Sequence, residues 1–359
     1  MDIRSERQRE FAEKWLASDR RSIIYAAPRF GKIFLSLNIL DAYSNDADIL
    51  IAYPDVKIRK SWEEDFDKRG YINPNVEFTT HLSLKKHVEK KYDLVIIDEI
   101  HLLSEAQIEV CKDLFLLNKH VLGLTGTLSS LTRRTLKNEL SLDVLIEYPI
   151  EKAIEEGIVT DYEINIIKVP LDNMILQTFG KKRRTELMQF KSISWVIDKL
   201  ESEGKDTFFM RLKRMRLIQN SIAKKDATKK LLFKYRDERV LVFCGITKIA
   251  DSLGIPSYHS KVNEASIFND FVNGKFNHLA VVKMGNTGVT YKPLNMIIIN
   301  YFDSNSENLA QKINRAMSME YNNPDKKAKI YIISSMEPVE QKWLNKALAF
   351  FDKSKIKYL

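Results

Sequence analysis

The sequence predicts an α/β protein made of two parallel-sheet domains joined by a basic helical connector. Three observations lead there. Short apolar, β-rich runs alternate with segments of helical spacing. The alternation stops near residue 170 and resumes near residue 238, and the stretch between carries a concentrated positive charge. Continuous apolar runs separated by helices are the mark of strands buried on both faces of a parallel sheet.

The first block supplies six runs in order: SIIYAAP, DILIAYP, VEFTTH, YDLVIIDE, HVLGLTGT and DVLIEYP. Between them KIFLSLNILDAY and EAQIEVCKDLFLL place apolar residues at helical intervals. The second block supplies RVLVFCGI, IPSYHS, HLAVVKM, MIIINYF and AKIYIIS, again with helical segments between. The domains are therefore expected at residues 1–165 and 237–359, with 166–236 as the connector.

Residues 170–236 show no strand-like run; SWVIDKLES and MRLKRMRLIQNSIAKKDATKKLLF read as helices. From Lys181 to Arg236 there are 17 basic and 6 acidic residues, an excess of +11 in a chain whose net charge is +9. The rest of the protein is thus slightly acidic. Such a run is either a solvated helix face or a surface for polyphosphate, with Arg211, Lys213, Arg214 and Arg216 as the candidate contacts.

The 359 residues, 44% hydrophobic and 29% charged, suit two globular domains with sizeable cores. The net charge and a pI near 9.2 favour a polyanionic partner. Cys111 and Cys244 each sit in an apolar segment, as core fillers in a reducing compartment do, and no clustered Cys/His pattern suggests zinc. The charged start MDIRSERQRE argues against a signal peptide, and no run of 18 apolar residues offers a membrane span. A cytoplasmic location is expected.

Two stretches carry chemistry. YAAPRFGKIFLSL approaches the pattern G-x-x-x-x-G-K-[ST], in which backbone N–H groups and a lysine hold phosphates and a hydroxyl holds Mg²⁺. Ala26 stands at the first glycine position, Gly31 and Lys32 are in place, and Ile33 replaces the hydroxyl, which leaves a plain helix start as the alternative. VIIDEIHLL delivers two carboxylates from the end of an apolar strand. Asp98 is suited to hold Mg²⁺ through water and Glu99 to orient or deprotonate an attacking water. The competing account is an acidic helix N-terminus that complements the helix dipole.

With these residues in order, the chain resembles a superfamily 2 helicase of the DExH type, in the compact phage and type III restriction-like branch. The resemblance spans nearly the full length and implies two RecA-like domains, ATP with Mg²⁺, and DNA as partner, single-stranded or branched, with RNA left open. Replication or recombination proteins are further partners it suggests, and the cytoplasm of a bacterial host the location for a phage protein. Gln8 stands where such proteins read adenine, and Ala27, Pro28, Arg29, Phe30, Gly31, Lys32 and Ile33 match the phosphate loop. ILIAYPDVKIRKSWEEDF, FTTHLSL, DEIH and LTGTL follow, then YPIEKAIEEGIVTDYEI at the exit of the first domain. The resemblance turns Thr80, within FTTHLSL, toward nucleic acid, and Thr125 and Thr127 would couple the phosphate site to the nucleic-acid side. In the second domain VLVFCGITKIADSL, YHSK, MGNTGVTY and QKINRAMS keep the expected order. The resemblance turns His259 and Lys261 toward nucleic acid and Gly288 toward the nucleotide. It sets Gln311 and Arg315 in the catalytic machinery, with the arginine facing the phosphates.

Three departures accompany the match. Ile33 lacks the hydroxyl. The family's last motif, Q-x-x-G-R-x-x-R, reads here Gln311, Asn314, Arg315 and Ser318, without the second arginine. Thr287 precedes Gly288 where an acidic residue or arginine is common. The expectation is an ATP-dependent DNA helicase or translocase, acting in replication, recombination or repair, whose turnover is reduced by Ile33 and Ser318. The alternatives are a nucleic-acid-binding nucleotide clamp with little or no hydrolysis, and the motor subunit of a nuclease complex.

Overall fold

The structure, a computed structural model, describes residues 2–262, 265–282, 294, 296–303, 306–317, 327–349 and 351–359. The chain divides after Thr160 into two compact units.

The first unit opens with helix α1 (Ile3–Leu16), capped by the Asp2 carboxylate on the Arg4 N–H. The six expected runs become β1 (Arg21–Ala26), β2 (Ile49–Tyr53), β3 (Val76–Thr80), β4 (Leu94–Ile97), β5 (Val121–Thr125) and β6 (Val144–Tyr148). Helices α2 (Lys32–Leu40), α3 (Lys57–Arg69), α4 (Glu105–Leu117) and α5 (Ser130–Leu140) connect them, and α6 (Ile150–Glu155) follows. All pairings are parallel, in the order β3-β2-β4-β5-β1-β6. The central strands β2, β4 and β5 are buried along their whole length, as their unbroken apolar sequences require. This order sets the site. The strands β4, β5 and β1 are neighbours, so whatever follows Ile97, Thr125 and Ala26 emerges at one edge of the sheet, where open α/β sheets bind ligands.

The second unit begins with β7 (Asp161–Val169), which pairs in parallel with β14 (Lys327–Ser335) over its full nine residues. Its sheet runs β11-β12-β10-β13-β14-β7-β15, with β10 (Val240–Cys244), β11 (Ser257–Tyr258), β12 (His278–Val282), β13 (Met296–Ile299) and β15 (Ile356–Tyr358). Helices α10 (Thr247–Asp251), α11 (Ala265–Val272), α12 (Ser306–Ile313) and α13 (Pro338–Ala347) flank the strands.

Two expectations are corrected here. DYEINIIKV is a strand of the second sheet rather than the tail of the first domain, so the boundary falls at 160 and not 165. The strand was concealed because its partner β14 lies far along the chain. The supposed strandless connector contains an antiparallel hairpin, β8 (Gln177–Phe179) and β9 (Lys182–Arg184), before α7 (Glu186–Ser202), α8 (Phe208–Gln219) and α9 (Ile222–Lys234).

These helices pack into the second unit. Glu186, only 1% exposed, accepts from the backbone N–H groups of Asp172 and Ile222 at 3.1 and 2.9 Å. Lys224, also buried, pairs with buried Glu340 of α13. A buried ion pair holds only when both charges are compensated, so this contact anchors α9 firmly to its unit.

Cys111 and Cys244 are free and buried, and burial pushes both thiols up to about 12. No described helix is long and apolar enough to cross a membrane.

Candidate active site

β1 ends at Ala26, and the next residues turn sharply into α2. Arg29 and Gly31 both adopt positive φ, at 66° and 88°. Glycine is required at 31 for a second reason: a Cβ there would lie 2.5 Å from Gln8 Nε2. Gln8 is buried, and its amide donates to the carbonyls of Phe30 at 2.7 Å and Gly31 at 3.2 Å. The residue expected to read adenine therefore also braces the loop from behind.

Phe30 is buried against Phe11 and Tyr148, with ring centroids 5.3 and 5.2 Å away. These contacts fix the loop so that the first N–H groups of α2 stay open. Gly31, Lys32, Ile33 and Phe34 donate to no acceptor among the described residues; the first such bond runs from Leu35 to the Gly31 carbonyl. Open N–H groups at the positive end of a helix attract anions.

Lys32 projects from this helix start. Its Nζ lies 3.4 Å from Glu99 Oε1. Gly126 makes room for it, since a Cβ at 126 would sit 3.0 Å from the ammonium. Glu99 itself is held at φ 50°, a strained conformation for a side-chain-bearing residue, directly after Asp98.

Asp98 is buried, with each carboxylate oxygen already accepting one hydrogen bond: Oδ2 from Trp62 Nε1 at 3.2 Å and Oδ1 from the Glu99 N–H at 3.0 Å. The His81 ring donates from Nε2 to the Asp98 carbonyl at 2.9 Å. Burial holds that imidazole neutral, moving it down to about 4 against the pull of the carbonyl.

The two carboxylates are driven apart. Burial, then the charge of Glu99, push Asp98 up to about 6, with Lys32 opposing. Burial also favours protonated Glu99, but Lys32 outweighs it and, with the Gly126 N–H, holds that group below its ordinary value. Glu99 is thus the ionised partner at neutral pH, as a base must be.

His101 extends the site to β5. Its Nδ1 lies 2.8 Å from Thr125 Oγ1, and its Nε2 3.2 Å from Thr127 Oγ1. Thr125 donates its one hydroxyl hydrogen to the Thr127 carbonyl, so it accepts from His101. Nδ1 therefore carries the proton and Nε2 accepts from Thr127. Nδ1 is also 3.4 Å from Glu99 Oε2. A neutral imidazole, which burial favours here, links Glu99 to the threonines.

Asp98, its two oxygens oriented by hydrogen bonds yet open to a further contact, fits a Mg²⁺ ion held through water. Ile33 contributes no ligand, and no cluster of three or more His, Cys, Asp or Glu suited to a metal occurs among the described residues. An ion here would depend on phosphate oxygens and water.

The remaining predicted residues separate into groups. Thr80 ends β3, its hydroxyl 3.3 Å from Ser83 Oγ. His259 is turned inward: it accepts from the Lys261 N–H and bonds Asp251 Oδ1 at 2.8 Å, which leaves Lys261 as the exposed member of that pair. On α8, Arg211 pairs with Glu201, and Arg214 lies against Phe190 and within 3.3 Å of Ser194 Oγ. Lys213 and Arg216 are exposed. Gln311 and Arg315 are half-buried at α12 and just after it, while Gly288, Thr287 and Ser318 lie outside the described residues. Sequence reasoning missed Trp62, His81 and the packing of Phe11 and Tyr148 on Phe30. Only Trp62 left a signal, as a large apolar residue in the charged helix KIRKSWEEDFDKR.

Residues 223–320 match the model of the helicase conserved C-terminal domain. Over 328 residues the chain is 21% identical to the DNA 3'-5' translocase XPB2 of Sulfurisphaera tokodaii, covering 81% of this chain and 73% of that protein. Among solved structures it is similar to S. cerevisiae Dbp5 bound to RNA and ADP BeF3, with a TM-score of 0.63, 11% identity, and coverage of 98% and 88%. It is also similar to the Pyrococcus furiosus Hef helicase domain, with a TM-score of 0.52, 14% identity, and coverage of 93% and 96%. Both units have the RecA-like helicase fold. Residues 223–320 thus resemble a helicase C-terminal domain, and the likenesses to solved structures show the fold.

Proposed function

We propose that this protein is an ATP-dependent superfamily 2 translocase or helicase of the DExH type that acts on DNA. The observation that carries the reading is the convergence of Lys32, Asp98 and Glu99 at one sheet edge, beside the open N–H groups of α2. The N–H groups and Lys32 bind phosphate. Asp98 would hold Mg²⁺, which when bound supplies charge neutralisation at the phosphates. Glu99, ionised and within reach of His101, takes the proton of the attacking water as ATP and water become ADP and inorganic phosphate. His101 transmits the state of Glu99 to Thr125 and Thr127. Arg315 keeps the charge-stabilising role that the family resemblance gives it.

DNA is preferred because the relative that matches over most of this chain is named a DNA translocase; RNA is the second arm of the test. A phage origin, a place in replication, recombination or repair, and a cytoplasmic location complete the reading and rest on the resemblance alone. The nucleotide clamp is the second reading, favoured by Ile33 at the hydroxyl position. Phosphate release measured with and without single-stranded DNA and RNA tests both. Stimulated turnover that Glu99→Gln removes supports the motor; ATP binding without turnover in the parent supports the clamp.

A further inference from the structure

The second unit contains a cavity of about 320 Å³ at the C-terminal end of β10, walled by α8 on one side and by Tyr301 and Lys312 on the other. Its lining is largely apolar, with Met215, Phe243 and Ile246 beside the Tyr301 ring. Such a site, a concave apolar pocket with a few convergent polar groups at a sheet's C-terminal edge, is a common ligand position. None of the residues used above for hydrolysis lines it.

Three polar side chains face this space. Gln219 is only 6% exposed, and its side chain lines the cavity. A Cβ on Gly245 would lie 3.0 Å from Gln219 Oε1 and 2.9 Å from Tyr301 Cγ, so the bare glycine lets both side chains approach it. Lys312 donates to the Tyr301 carbonyl at 3.1 Å, with its ammonium 5.0 Å from the Tyr301 ring centroid. Burial moves it down to about 8, against the charge of Asp303, which pulls it up. Arg216 is exposed on α8 and also lines the cavity.

An amide, an aromatic ring and two cations around an apolar space suit a flat heteroaromatic group that carries an anion. We propose that this cavity takes one nucleotide, its base against Tyr301 and Met215 with an edge on the Gln219 amide, and its phosphate on Arg216 and Lys312. The nucleotide is either part of a bound strand, which rests on the motor reading above, or a free mononucleotide, which does not.

The test uses the full chain in a Lys32→Ala background, which silences the first-unit loop. Fluorescently labelled oligothymidylate and thymidine monophosphate are titrated separately against that background and against Gln219→Leu, Lys312→Met and Lys312→Arg made in it. An oligonucleotide bearing 4-thiothymidine is crosslinked and the adduct mapped. For a strand nucleotide, Gln219→Leu and Lys312→Met each weaken oligothymidylate about tenfold, the scale of one hydrogen bond, Lys312→Arg restores affinity, and the crosslink falls on Tyr301 or Met215. For a free mononucleotide, thymidine monophosphate binds saturably and the same two variants lose it. Oligothymidylate bound with unchanged affinity and no cavity crosslink, together with no monophosphate binding, overturns the proposal while the motor reading stands. Absence of any oligonucleotide binding counts against the motor reading instead, and the monophosphate titration alone then decides the cavity. Melting temperatures matching the background show that the variants are folded.

Discussion

The indole Nε1 of Trp62 donates to Oδ2 of Asp98 at 3.2 Å, and both residues are buried. The bond orients the carboxylate proposed to hold Mg²⁺. Trp62→Phe keeps the packing and removes the donor. Outer partners of metal-binding carboxylates contribute about 10- to 100-fold in metal affinity. The Mg²⁺ concentration for half-maximal ATP turnover should rise by a factor in that range, with little change in ATP affinity at saturating Mg²⁺. An unchanged Mg²⁺ requirement would reduce Trp62 to a core residue.

Glu99→Gln keeps the shape of the side chain and removes its basicity. Turnover should fall by about 100-fold or more, the usual scale for a positioned general base, while ATP binding persists. Equilibrium binding and single-turnover phosphate release, measured side by side, check this. Full turnover in the variant would take the role of base from Glu99.

The helix start at Lys32 binds phosphate without a hydroxyl, because its open N–H groups and the ammonium suffice. Lys32→Ala should abolish turnover and release Glu99 from its ion pair. Ile33→Thr should raise turnover, or lower the Mg²⁺ needed for it, by restoring a direct ligand. If only the Ile33→Thr protein hydrolyses ATP, the parent is a nucleotide clamp.

On α8 the structure separates residues that the charge count treated alike. Lys213 and Arg216 are exposed, whereas Arg211 is paired with Glu201 and Arg214 is packed against α7. Neutralising Lys213 and Arg216 together should weaken binding to all sequences similarly and flatten the log–log salt dependence by about two. Neutralising Arg214 should act through stability instead. Titrations at several salt concentrations separate the two effects, and a salt slope equal to the parent's would mean that these side chains only face solvent.

Lys224 counts among the 17 basic residues of that stretch, yet it is buried against Glu340. Lys224→Met leaves the glutamate uncompensated and should cost about 3–5 kcal/mol. Denaturant melts of the second unit measure it. A loss near zero would mean that α9 is a loosely attached connector after all.

Local sequence determined what local chemistry can encode. Apolar runs such as VIIDE and VLGLT could only be strands buried on both faces, and strand–loop–helix order placed Gly31 and Lys32 where a helix starts. Parallel strands then send every such end to one edge, so the sequence already places Asp98, Glu99 and Thr125 side by side. The tertiary structure decided whatever depends on partners distant in the chain. β7 is a strand of the second sheet because β14 pairs with it, and nothing within DYEINIIKV announces that partner. Trp62 reaches Asp98, and Gln8 reaches the loop carbonyls, across separations that no periodicity records. Burial divided the basic stretch into exposed Lys213, packed Arg214 and interior Lys224. Charge is written in the sequence; whether water or protein surrounds it is settled only by folding.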